Sequence, residues 1–258
     1  RRMDALGQVL QALGERDRAE NLFREALRIW AGAFGEASAE VGTVTNDLGH
    51  LYTTQGRYAE AESLLRRSLA ANTAALGPDH LEVGRSLNNL AALNQVQARY
   101  GKAEDLYGQA ITIWEDALGP DDPLLAGAIG NLAQLYQTTG RYAAAEAHFR
   151  RSLGLYEKAY GSGHMLTGVG LGNLAFVLQL QGRIPEAEAL MVRSLDVLEN
   201  ALGPDHPNIS AGLTNLGLLY RGQGRLAEAR PLLERALAIF ERAKGADHLS
   251  VATALNNL

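Results

Sequence analysis

The chain has 258 residues, a net charge of −5, no cysteine and 47% hydrophobic residues, with Ala and Leu prominent among them. The mild acidity argues against a general nucleic-acid binder, which carries a basic stripe. The absence of cysteine excludes a disulfide framework and thiolate chemistry and fits a cytoplasmic protein. No apolar run reaches the length of a membrane span, and no signal-peptide pattern opens the sequence.

Taken in order, the chain repeats itself every 42 residues. Arg1 falls inside a first helix, because Leu6 is the equivalent of Leu48. The junction Leu76-Gly77-Pro78-Asp79-His80 recurs as Leu118-Gly119-Pro120-Asp121-Asp122-Pro123, as Leu202-Gly203-Pro204-Asp205-His206-Pro207 and as Lys244-Gly245-Ala246-Asp247-His248. Asn-Leu recurs at Asn89-Leu90, Asn131-Leu132, Asn173-Leu174, Asn215-Leu216 and Asn257-Leu258. A fixed period is the mark of a solenoid. The boundaries fall near 1–36, 37–78, 79–120, 121–162, 163–204 and 205–246, with a partial repeat at 247–258, in one array read as a piece of a longer protein.

Each period reads as helix, short turn, helix, longer turn. Ile129, Leu132, Leu135 and Tyr136 form one apolar stripe at helical spacing. Gly140 stops that helix, since glycine takes the left-handed conformation needed there. Its equivalents are Gly14, Gly56, Gly182 and Gly224, with Ala98 the departure. Ala103, Leu106, Tyr107, Ala110, Ile111 and Trp114 share one face of the second helix. Gly119 closes it, Asp121 is placed to cap the next helix and Pro123 sits in its first turn. Ala19, Ala61, Ala103, Ala145, Ala187 and Ala229 form a small-residue column, and Ala26, Ser68, Ala110, Ser152, Ser194 and Ala236 a second. Both allow close helix packing. Pro185 lies in a first turn, and Pro231 is expected to remove a backbone bond inside its helix.

These columns resemble the tetratricopeptide repeat: Asn-Leu-Gly/Ala, the helix tyrosines Tyr52, Tyr136 and Tyr220, the turn glycine, Tyr58, Tyr100 and Tyr142, and the small columns match its pattern in order. The 42-residue period is similar to the kinesin light chain type. The resemblance implies an all-α fold, an α-solenoid in a right-handed superhelix whose first helices line a groove. The departures are Gly35-Glu36-Ala37-Ser38, Gly161-Ser162-Gly163-His164, and Asn94 and Leu178 in place of the helix tyrosine.

Mapped onto this chain, the groove face carries an amide column, Asn89, Asn131, Asn173 and Asn215, with Asp47 at its head. His50, Gln134, Phe176 and Leu218 run beside it, and Gln11, Thr53, Gln95, Gln137, Gln179 and Arg221 follow one turn later. Asparagine and glutamine both donate and accept, so such a column can hold a peptide backbone. The same asparagines could instead bond the adjacent repeat and order the stack; both readings stay open. The early groove is polar, with Thr43, Asn46, Arg85, Asn88 and Gln95. Around the fifth repeat it turns apolar, with Val169, Phe176 and Leu180 at helical spacing, a candidate pocket for one bulky side chain. The alternative is that Phe176 packs against the neighbouring helix, and the stability cost of removing its ring separates the two. Arg85 and Arg221, with few carboxylates beside them in the sequence pattern, are compatible with peptides carrying an aromatic among acidic residues.

No catalytic motif rises above the repeat. His80, His164, His206 and His248 share a column, but equivalent positions lie a packed-helix spacing of about 8–10 Å apart, too far to converge on one ion. Asp is expected to cap and His to pack in the turn. His148 reads as a satisfied histidine at a core position. The glutamates Glu20, Glu62, Glu104, Glu146 and Glu188 suit the helix dipole or an inter-repeat role. The expected function is a non-catalytic scaffold without cofactor or metal, binding a protein or peptide and neither nucleic acid nor membrane. The alternatives are a regulatory module of a larger enzyme, with a protease-like or nucleotide-binding domain elsewhere, and end-to-end self-association of the array.

Overall fold

The computed structural model describes residues 6, 7, 9, 10 and 14–244. Gln11, the junction at Gly245, His248, Asn257-Leu258 and the partial last repeat lie outside them. Eleven helices run in order among the described residues. They are α1 (Arg16–Phe34), α2 (Ala39–Thr54), α3 (Tyr58–Leu76), α4 (Leu81–Val96), α5 (Tyr100–Leu118), α6 (Leu125–Thr138), α7 (Tyr142–Tyr160), α8 (Met165–Leu180), α9 (Ile184–Leu202), α10 (Ile209–Gly222) and α11 (Leu226–Lys244). The fold is all-α, an α-solenoid of helix-turn-helix repeats, with no strand among the described residues. Even-numbered helices are the first of each repeat and odd-numbered helices the second.

The chain forms two compact units, residues 1–135 and 136–258. In the first, Phe23, Leu51, Leu65 and Leu93 are fully buried in one continuous core. Burying each such side chain is worth about 1.5–3 kcal/mol. In the second, Met191, Leu195, Ile209, Leu213 and Leu219 do the same work. Both small-residue columns are buried at every repeat, from Ala19 and Ala26 to Ala229 and Ala236. They bring helices so close that a methyl group on Gly49 would sit 2.8 Å from Leu65 Cγ.

The turns explain the period. Gly56, Gly140, Gly182 and Gly224 close the first helices at φ of 76–78°. Ala98 takes the same left-handed conformation at φ 57°. The cap assignment is corrected. Across the longer turn the histidine caps: His80 and His164 Nδ1 accept the backbone N–H of Glu82 and Leu166, each at 3.2 Å. His206 accepts that of Asn208 in the same way. This bond requires the proton on Nε2. Where the junction lacks histidine, Ser38 Oγ accepts from Val41 N–H at 3.3 Å. At the third junction Asp122, rather than Asp121, accepts from Leu124 N–H at 2.9 Å, and Pro123 precedes α6 instead of entering its first turn. Pro185 sits in the first turn of α9 and Pro231 inside α11. His148 bonds the Ala144 carbonyl at 2.9 Å and meets Tyr136 edge-on, as a satisfied histidine should.

Candidate functional site: the first-helix face

Helix α8 buries Leu171, Leu174, Ala175, Val177 and Leu178 against its neighbours. Its opposite face is also apolar, because the sequence places Val169, Phe176 and Leu180 seven and four residues apart. Val169 is 42% and Leu180 40% exposed, and Phe176 is half-buried. Asn173 is exposed between them. The row Val169, Asn173, Phe176 and Leu180 places three apolar side chains and one amide along one line of the helix, and Phe176 is the most covered of the four. In the same unit, Asn215 on α10 is half-buried, Arg221 in its last turn is exposed, and Gln137 in the last turn of α6 is half-buried.

The first unit is polar on the corresponding face, and its side chains tie first helices together. Asn131 Nδ2 on α6 donates to Asn88 Oδ1 on α4 at 3.2 Å, and Asn88 Nδ2 in turn donates to Asn89 Oδ1 at 3.4 Å. At this point the amide column bonds the adjacent repeat. Arg85 on α4 reaches back to Asp47 on α2 at 3.1 Å and holds Glu82 on its own helix at 2.7 Å. The expectation of few carboxylates beside Arg85 is thus corrected: its charge is matched by two. Gln95 Oε1 accepts from the buried Tyr107 hydroxyl at 3.1 Å, which ties α4 to α5 within one repeat. Gln134 is exposed.

A second constellation was only half visible in the sequence. The glutamate column is joined to the arginine that follows each turn residue, 37 positions later. Arg57 meets Glu20, Arg183 meets Glu146 and Arg225 meets Glu188, each at 2.8 Å, and Arg99 meets Glu62 at 3.1 Å. Arg57, Arg183 and Arg225 also pair with Glu60, Glu186 and Glu228 one turn on. Their guanidinium groups are held well above the ordinary range by these bonds. Arg57 and Arg225 lie 3.6 and 3.9 Å from the centroids of Tyr52 and Tyr220, a cation–π geometry. Burial pushes the Glu20 and Glu146 carboxyls up, but hydrogen bonds from Tyr52 and Arg57, and from Arg150, Gln181 and Arg183, outweigh it and leave both below their ordinary value. The signal was present: Gly-Arg recurs with the period, as does the glutamate. Nothing in a linear pattern says that they meet.

Among the described residues, no cluster of three or more His, Asp or Glu side chains could hold a metal ion. None of the described helices is long and apolar enough to cross a membrane.

A family model described as tetratricopeptide repeat matches residues 2–74, 40–116, 82–158, 166–242 and 208–258. A search of curated protein sequences found no match. Among solved structures, BtubC (BKLC) from P. vanneervenii is 21% identical with a TM-score of 0.73, covering 89% of this chain and 92% of that one. A Podosopora anserina protein described as a kinesin light chain with nearly identical TPR-like repeats is 25% identical, with a TM-score of 0.64 over 78% of this chain and 95% of that one. The apo form of RapI is 14% identical with a TM-score of 0.65, covering 94% of this chain and 97% of that one.

Proposed function

Because the chain belongs to the tetratricopeptide repeat family, in the kinesin-light-chain-like form, we propose that it is a non-catalytic scaffold that binds a peptide segment of another protein along its first-helix face. The observation that carries the reading is the row on α8, exposed at Val169, Asn173 and Leu180 with Phe176 half-buried among them. An apolar ridge of Val169, Phe176 and Leu180 with an amide at Asn173 supplies anchoring area and a backbone partner together. Exposed apolar groups set in polar surroundings mark interaction sites, and an aromatic at the centre of such a patch is the usual anchor. In the first unit, Asn89, Asn131, Arg85, Gln95 and Gln134 are engaged by or sit among inter-helix ties, so their role in the proposal is to shape the face and offer remaining donors and acceptors. In the second unit, Gln137, Asn215 and Arg221 extend the polar margin. The setting proposed is the cytoplasm.

A peptide array probed with the chain, and with Phe176→Ala beside it, tests the proposal. The expected result is a set of binders whose affinity drops about tenfold, 1.4 kcal/mol, in the variant, with little change in melting temperature. Binding that is indifferent to Phe176→Ala, or a loss of stability of roughly 3–5 kcal/mol as for a core phenylalanine, counts against it.

A further inference from the structure

The row on α8 differs from its counterparts in charge as well as in size. The same four positions are Thr43, Asp47, His50 and Thr54 on α2, and Arg85, Asn89, Ala92 and Val96 on α4. There the face is charged, and Arg85 is held by Asp47 and Glu82. On α8 the four are Val169, Asn173, Phe176 and Leu180, and the whole helix from Met165 to Leu180 contains no acidic or basic residue. On α10, one period on, they are Ala211, Asn215, Leu218 and Gly222, again without charge. The charged residue of α10 is Arg221, in its last turn. Both helices close on the same core, through Ala175 on α8 and Leu213 and Leu216 on α10.

From Val169 to Leu180 the helix rises about 16 Å, at about 1.5 Å per residue. An extended segment covers that length with about five residues, at about 3.3 Å each. Its backbone N–H and C=O groups are free, as those inside a helix are not, so the amide of Asn173 has groups to bond. Asn173 is exposed, whereas Asn131, one period earlier, donates its amide to Asn88.

We infer that the segment bound at this face is an uncharged, apolar, extended stretch of a partner protein, with a large aliphatic or aromatic side chain set against Phe176; this rests on the peptide-binding reading and names its partner class. The match is one of charge. A carboxylate or ammonium group laid over Val169 and Phe176 loses water and finds no opposite charge in the rows of α8 and α10. Apolar side chains carry no such penalty, and they cover the exposed Val169 and Leu180. Segments with an aromatic among acidic residues are thereby set aside for this face. Arg85 is already matched by two carboxylates, and Arg221 stands at the end of α10, past the centre of its row. Rejection of charged segments gives the face its specificity.

The test is an array of seven-residue peptides built from Gly, Ser, Asn, Val, Leu and Phe, each printed beside copies with one Asn replaced by Asp or by Lys. It is probed with the full chain and with Phe176→Ala, Leu180→Ser and Val169→Lys. Leu180 and Val169 are exposed, so Leu180→Ser marks the same binders should Phe176→Ala fail to fold. Binders weakened by Phe176→Ala or Leu180→Ser are expected among the uncharged peptides, with their Asp and Lys copies about tenfold weaker. Their affinities in solution should change less than about twofold between about 0.05 and 0.5 M salt. In Val169→Lys the Asp copy should regain about two- to fivefold relative to its uncharged parent, as a surface ion pair allows. Ridge-dependent binders that take their Asp or Lys copies equally well or better, that lose more than about fivefold with salt, or whose Asp penalty is unchanged in Val169→Lys overturn the inference and leave the peptide-binding reading standing. Absence of any ridge-dependent binder overturns both.

Discussion

Ala98→Gly should stabilise the protein. Ala98 is the non-glycine residue at positive φ among those described, 57°, at a position where Gly56, Gly140, Gly182 and Gly224 stand in other repeats. The left-handed conformation costs an L-residue with a side chain roughly 1–2 kcal/mol. Glycine removes that strain but gives up roughly 0.5–1 kcal/mol through its freer unfolded chain. Nothing else should change. The turn bonds, Ala98 N–H to Gln95 O at 2.9 Å and Arg99 N–H to Asn94 O at 2.8 Å, are backbone bonds that glycine also makes. The Ala98 methyl is exposed, so little burial is lost. The net gain is about 0.5–1 kcal/mol, from the difference of those two terms. Urea denaturation at fixed pH measures it. With a slope near 3 kcal/mol per molar, the midpoint should rise by about 0.2–0.3 M without a change of slope. A midpoint that is unchanged or lower would refute the reasoning, because the strain would then not be present in the folded state.

Two further outcomes follow from the turns and the arginine ties. His164→Ala should cost about 0.5–2 kcal/mol through the lost cap, and His164→Asn should recover most of it, read by thermal melting; equal melting of both variants and the parent would deny histidine the capping role. Acid should weaken the ties. The Glu62 carboxyl is lowered chiefly by its hydrogen bond from Arg66 and then by that from Arg99, and Glu186 chiefly by Arg183. A depressed carboxylate contributes stability that is complete above its unfolded value, about 4.3, and is lost as pH falls through the folded value. Urea midpoints should therefore hold between pH 7 and 5 and fall below about 4. The drop should shrink in Arg183→Met, whose tie is already gone.

Much of the fold was legible because the repeat carries its own controls. Gly56 and Gly140 recur where the backbone needs positive φ, and Ala61 and Ala103 recur where helices touch, so each position is read several times. The cap was misread because Asp and His stand side by side in the junction, and composition favours Asp. The spacing of Nδ1 to the N–H two residues on decides for His80 and His164. The face of the first helices was legible as a surface but not in its bonding. Whether Asn131 meets a ligand or a neighbour depends on the distance to Asn88 across the stack, and Arg85 shows the same limit, since Asp47 lies 38 residues away. Phe176 sits half-buried on a row whose ends, Val169 and Leu180, are exposed, a partial cover that helical spacing alone does not reveal.

The most direct test of peptide binding at the first-helix face is hydrogen exchange and amide chemical-shift mapping with a peptide taken from the array. The account predicts protection and shifts along α8 centred on Val169, Asn173, Phe176 and Leu180. Changes confined to the outward side of the second helices, such as Arg150 and Arg193, with α8 unaffected, would contradict it.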